Sequence, residues 1–150
     1  LLASSAASDV YKRQLKLMRL YRYIAQNEGI NCTIVHSLDG YDEISLTSPF
    51  KVVNNDSEKV MEAKHLGLTG GSQEDLYGGD TVEEAAKVFD DVLSNRASDS
   101  KKNCVIANAA FAIHTLEPQL SILDAVREAK ESLESGAALD SFRKFVEVNQ

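Results

Sequence analysis

The chain has 150 residues, 16 Lys and Arg against 23 Asp and Glu, a formal net charge of −7 and 43% hydrophobic residues, which fits one ordinary globular domain and excludes a disordered or fibrous chain. The acidic balance argues against electrostatic capture of nucleic acid, which needs a surplus of Lys and Arg on some face. No apolar run approaches the roughly 18–20 residues needed to cross a bilayer, so no membrane partner is expected.

Residues 1–14 lack an initial Met, are rich in Ala and Ser, and lack the charged start and long apolar stretch of a secretory signal. They read as a tail that need not be native, on a chain that starts inside a longer protein. From Gln14 to Asn27 the apolar positions Leu17, Met18, Tyr21, Ile24 and Ala25 recur at spacings of three and four, which predicts an amphipathic helix closed by Gly29. Cys32 to His36 is a short β-branched run suited to a buried strand. A turn is expected at Asp39-Gly40, then short strands over Glu43 to Thr47, Phe50 to Val53 and Lys59 to Glu62.

Residues 63–79 hold five of the eight glycines and read as a long loop. Asp80, three residues before Glu83, has the spacing of a capping box for a helix with Val82, Ala85, Ala86, Phe89, Val92 and Leu93 on one face. Cys104 to Leu116 is apolar almost all round and predicts a central helix. Two amphipathic helices follow, one carrying Leu120, Leu123, Val126, Ala129 and Leu133 before Gly136, the other Leu139, Phe142, Phe145 and Val146. Neither repeats nor a Pro/Ser linker marks a second domain. Cys32 and Cys104 lie in apolar stretches and suggest buried free thiols rather than a disulfide framework or zinc cluster.

The stretch His36-Ser37-Leu38-Asp39-Gly40-Tyr41-Asp42-Glu43-Ile44-Ser45 places three carboxylates directly after a predicted buried strand. Ligands of open α/β proteins gather beyond the carboxyl ends of strands. Adjacent Asp42 and Glu43 repel each other, and a divalent cation offsets that repulsion. Mg²⁺ usually takes one or two protein carboxylates and completes its octahedron with waters and substrate phosphates. On composition alone the same residues also read as a plain turn followed by an exposed charged pair.

HSLDGYDEISLT resembles the His-Gly-x-Asp-Gly-Leu-Asp-Glu-Ile-Ser segment of the anthranilate phosphoribosyltransferases. The likeness continues through Tyr77-Gly78-Gly79-Asp80-Thr81-Val82-Glu83-Glu84-Ala85-Ala86, through Asn108-Ala109-Ala110, and through Ala129 to Leu139, covering roughly Leu15 to Val146. The resemblance implies an α/β fold: part of a nucleoside phosphorylase/phosphoribosyltransferase catalytic domain, short strands followed by a C-terminal run of helices over residues 15–150. It implies a transferase of tryptophan biosynthesis that joins phosphoribosyl pyrophosphate to anthranilate and releases pyrophosphate, cytoplasmic and a homodimer when full length. The pair matching Asp42 and Glu43 belongs to the family's Mg²⁺ site, where metal holds the pyrophosphate. No protein nucleophile is implied, since the anthranilate amine attacks.

The family's N-terminal helical domain and its Gly-Thr-Gly-Gly-Asp loop have no counterpart in this sequence, so the chain alone is expected to be inactive. Thr69-Gly70-Gly71-Ser72 imitates that loop without its Asp, and Gly78-Gly79-Asp80 reads as a helix cap whose Asp80 carboxylate occupies the free amides. Many relatives have Gly where this chain has Ser37, which implies a less close backbone approach there. His36 reads as a strand-end residue shaping a cleft, His65 and His114 as ordinary imidazoles, and Asn108 as a structural amide. The other readings are a same-fold transferase or nucleoside phosphorylase with another acceptor, a noncatalytic nucleic-acid-binding relative, and a chain that does not fold alone.

Overall fold

Helix α1, over residues 16–28, is the first element of the computed structural model, which describes residues 16–149; the tail expected over residues 1–14 lies outside them. The helix ends as its sequence requires. Gly29 takes φ +65°, and the Gly29 and Ile30 amides return to the Gln26 and Ala25 carbonyls at 3.3 and 2.9 Å, the glycine-terminated reversal that satisfies a helix's last carbonyls. Of the expected apolar stripe, Met18 and Ala25 are buried, while Leu17, Tyr21 and Ile24 stay about half exposed.

Three strands follow as an antiparallel meander in the order β1-β2-β3: β1 Thr33–Ser37, β2 Phe50–Asn54 and β3 Glu58–Met61. Ser37 pairs with Phe50 and Thr33 with Asn54, and Val53 pairs with Glu58. The central strand carries the apolar weight, with Phe50, Val52 and Val53 buried. Asn55 ties the β2–β3 turn to α1. Its carbonyl accepts from Arg22 Nε and Nη2, both at 3.1 Å, and its side chain accepts from the Cys32 amide at 3.1 Å and donates to the Ile30 carbonyl at 2.8 Å.

The strand expected over Glu43 to Thr47 does not form. Ile44, Ser45 and Leu46 are buried in succession instead of alternating, and Leu46 sits at φ +59°, outside the strand region. The segment is a folded loop stitched to the end of β1.

The chain divides between Glu62 and Ala63 into two units. In the second, the expected long loop contains two short 3-10 turns, Ala63–Leu66 and Glu74–Leu76. Four helices follow: α2 Val82–Leu93, α3 Asp99–Leu116, α4 Ile122–Glu134 and α5 Ala137–Val148. α3 starts five residues before the expected Cys104, because the Ser98 hydroxyl caps it by accepting from the Lys101 amide. α3 and α4 pack on each other, with Ile106, Ala107, Ala110 and Phe111 buried on α3 and Ala125, Val126, Ala129 and Leu133 buried on α4. α3 is only partly the central helix expected, since Val105 and Leu116 are exposed. Phe89 of α2 and Phe142 of α5 meet edge to face at 4.9 Å between ring centres. Neither Cys32 nor Cys104 is in a disulfide, and both are half-buried rather than fully buried. Short strands followed by a run of helices is the architecture expected from the sequence.

Candidate functional site

Ser37, the last residue of β1, is the point from which residues 38–49 are built. Its amide donates to the Tyr41 carbonyl at 3.0 Å and its carbonyl accepts from the Gly40 amide at 3.2 Å. Its hydroxyl donates to the Glu43 carbonyl at 2.7 Å and accepts from the Ser45 amide at 3.0 Å. Gly40, at φ +104°, makes the turn, a conformation that glycine adopts without a Cβ penalty. Ser37 and Ser45 are both buried, and buried polar groups must be paired if their desolvation is not to destabilise the fold.

The three carboxylates of the segment separate into two roles. Asp39 belongs to the framework: it accepts from the Thr47 hydroxyl and stands 3.4 Å from the Ser45 hydroxyl, and the two hydroxyl oxygens lie 2.8 Å apart. Asp42 and Glu43 are exposed, and among the described residues neither carboxylate has a hydrogen bond or an ion pair. Asp42 stands on the rim of a hollow of about 130 Å³ lined also by Leu17, Met18, Tyr21, Ile34 and His36; Glu43 is not part of that lining. His36 is buried near the strand end, as a cleft-shaping residue would be.

Two adjacent, unpartnered hard-oxygen donors fit a cation that takes one or two carboxylates and draws its remaining ligands from water and phosphate. They do not fit a closed all-protein cage, and no group of three His, Cys, Asp or Glu side chains suited to a metal ion occurs among the described residues. The network of Ser37, Ser45, Thr47 and Asp39 is not evident from the sequence. Its only local signal was the density of short hydroxyl side chains after the strand.

The two glycine-rich stretches are engaged in structural contacts. The Ser72 amide donates to Asp75 Oδ2 at 2.8 Å, and that bond with one from the Ser72 hydroxyl holds the Asp75 carboxyl below the usual range. Thr69 is held by Asn103, whose Nδ2 reaches its carbonyl and hydroxyl at 3.1 and 3.0 Å. A hollow of about 240 Å³ beside Thr69 is lined by Lys102 and Lys130, and these pair with Asp99 and Glu134 at 3.0 and 3.7 Å.

At the start of α2 the capping box lies one residue later than expected. Thr81, extended at φ −123°, accepts from the Glu84 amide, and Glu84 Oε2 receives the Asp80 and Thr81 amides at 2.7 and 3.3 Å. Thr81 and Glu84, not Asp80, therefore occupy the amides at the helix start. The Asp80 carboxylate instead lies near the Tyr77 hydroxyl and holds that phenol above its ordinary value. His114 Nδ1 donates to the Leu120 carbonyl at 2.7 Å and Asn108 Nδ2 to the Cys104 carbonyl at 2.9 Å, the satisfied imidazole and structural amide expected; His65 is exposed. No helix among the described residues is long and apolar enough to cross a membrane.

Comparison with known proteins gives a consistent picture. The model of the glycosyl transferase family, a/b domain, matches residues 13–139. The anthranilate phosphoribosyltransferase of Phocaeicola vulgatus is 50% identical over 135 residues, which is 90% of this chain and 41% of that protein. The protein of the same name from Cytophaga hutchinsonii is 48% identical over 132 residues, 88% of this chain and 40% of its own length. The chain thus spans about two fifths of the curated relatives it matches. Among solved structures, anthranilate phosphoribosyltransferase from Saccharomyces cerevisiae in complex with PRPP and Mg shares the fold at a TM-score of 0.73 and 22% identity, covering 85% of this chain and 37% of that one. The Thermus thermophilus enzyme matches at a TM-score of 0.70 and 25% identity, over 79% of this chain and 35% of that one.

Proposed function

Because the chain belongs to the glycosyl transferase family, as part of its a/b domain, we propose that it is the metal-carrying portion of an anthranilate phosphoribosyltransferase. Its reaction is transfer of the phosphoribosyl group of phosphoribosyl pyrophosphate to the anthranilate amine, with release of pyrophosphate. The acceptor is inferred from relatives of that name at up to 50% identity. The observation on which the role of this chain rests is the Asp42–Glu43 pair, exposed and unpartnered in a loop whose Ser37, Ser45 and Thr47 hydroxyls and Asp39 carboxylate are paired with one another or with the main chain.

Asp42 and Glu43 would hold Mg²⁺, the cation bound with PRPP in the yeast structure. Bound there, Mg²⁺ would neutralise charge on a departing pyrophosphate, an effect larger in the transition state than in the ground state. The rest of the segment serves position: Ser37, Ser45 and Thr47 hold the main chain on either side of the pair, and Asp39 is kept out of the ligand set by its hydroxyl partners. No side chain of this loop is required as a nucleophile, because the acceptor amine provides the lone pair. Cytoplasmic location and pairing with a second copy of the full chain belong to the same proposal.

The test is the fluorescence-monitored consumption of anthranilate by the full chain that contains this sequence. Asp42→Ala with Glu43→Ala is expected to lower kcat/KM by roughly 100-fold or more, with the deficit partly recovered as Mg²⁺ is raised. The 150-residue chain alone is expected to show no turnover. An unchanged Mg²⁺ dependence in the double variant, or turnover by the 150 residues alone, would contradict the proposal.

A further inference from the structure

We propose that the Ser37 hydroxyl is the positioning group that sets Asp42 and Glu43 for a divalent cation, an inference that rests on the reading of those carboxylates as ligands. Neither carboxylate has a side-chain partner among the described residues. Their aim therefore comes from the main chain, and the main chain on both sides of the pair is held by one residue.

The Ser37 amide binds the Tyr41 carbonyl at 3.0 Å and so fixes the peptide plane that enters Asp42. The Ser37 hydroxyl binds the Glu43 carbonyl at 2.7 Å and so fixes the plane that leaves Glu43. The same oxygen accepts from the Ser45 amide at 3.0 Å, anchoring the buried run after the pair. Only Asp42 and Glu43 lie between the two pinned planes. Ser37 itself is fully buried at the end of a paired strand, so its hydroxyl is a fixed reference rather than a mobile surface group. A backbone amide is present whatever residue stands at this position, the Gly of many relatives included, whereas in this chain the exit plane and Ser45 are held through the hydroxyl.

Groups that orient metal ligands without touching the metal usually change affinity by about 10–100-fold when removed. The experiment uses the full chain containing this sequence, with Ser37→Ala, Ser37→Gly and the Asp42→Ala/Glu43→Ala variant compared with the parent. Mn²⁺ binding is titrated by electron paramagnetic resonance, thermal unfolding is followed without metal, and Mg²⁺ half-saturation of activity is compared with KM for the acceptor. The expected result is a rise of roughly 10-fold or more in the Mn²⁺ dissociation constant for both Ser37 variants. Mg²⁺ half-saturation should move in parallel, with acceptor KM unchanged and the fold retained. Parent-like Mn²⁺ affinity in a folded Ser37 variant overturns the proposal. So does an equal loss of acceptor affinity, or failure of both variants to fold, either of which would make the hydroxyl a purely structural group. The double carboxylate variant separates the two levels: if it binds Mn²⁺ like the parent, the ligand reading itself fails, whereas loss of binding there with no effect at Ser37 sinks only the positioning role.

Discussion

Lys51 shows how single residues decide this sheet. It is 7% exposed on the central strand, and its ammonium is bound by Glu58 of β3. That hydrogen bond is the largest influence holding the Glu58 carboxyl below its ordinary value of 4.5, assisted by the charges of Lys51, Arg19 and Arg22. A carboxylate whose folded pKa is depressed contributes stability that is present above the unfolded value and is lost as pH falls through the folded one. The parent is therefore expected to be more stable than Glu58→Gln at about pH 7, with the gap closing as pH drops below about 4.5. Urea midpoints measured across that range check it, and a gap independent of pH would mean that the ion pair contributes nothing. The pair was not legible beforehand, because it depends on the strand register. Val53 opposite Glu58 places Lys51 diagonally across from it, and that register is set by how the buried central strand pairs with its neighbours rather than by either charged residue.

The individual elements were legible where local chemistry decides them. The β-branched run of β1, the glycine after α1 and the apolar spacing of α4 each carry their own signal, and each element formed within a residue or two of its expected place. Reading failed where a distant partner decides. Ile44-Ser45-Leu46-Thr47 has the alternation of a strand, yet Ser37 takes the Ser45 amide and Leu46 turns into the left-handed region. At the start of α2 the sequence Asp80-Thr81-Val82-Glu83-Glu84 offers two capping registers. Glu84 is favoured because Gly79, at φ +97°, leaves room where any Cβ would overlap the Glu84 side chain. The observed box makes a definite demand: Thr81→Ala should cost about 1 kcal/mol, and Thr81→Ser much less, while Asp80→Ala should leave the cap intact. Denaturant unfolding of the three variants measures this. A larger loss at Asp80 than at Thr81 would restore the register expected from sequence alone. The exposed Asp42–Glu43 pair was legible from charge and placement, but the group that holds it was not, since a serine after a strand has no visible partner until the loop has folded back.

At the scale of the whole molecule, apolar exposure is unevenly distributed. Val82, Leu116, Phe145 and Val148 are exposed at scattered places on the helices of the second unit, whereas Leu17, Leu20, Tyr21, Tyr23 and Ile24 stand about half exposed or more along α1, with Ile30 just beyond it. Scattered single apolar residues are ordinary on a protein surface, but a contiguous patch drives association. The net charge of −7 opposes that association only over a Debye length of about 8–10 Å at moderate salt. The 150-residue chain is therefore expected to self-associate as concentration rises, more strongly at high salt, and to bind a hydrophobic dye. Sedimentation velocity over a concentration series tests this against Leu20→Gln with Ile24→Gln. Those substitutions remove two half-exposed side chains from α1 and leave the buried Met18 and Ala25 in place. The variant should stay monomeric at concentrations where the parent associates, with unchanged helix content by circular dichroism. If parent and variant associate equally, the contact lies on another face, and the exposed stripe of α1 is not what draws the chains together.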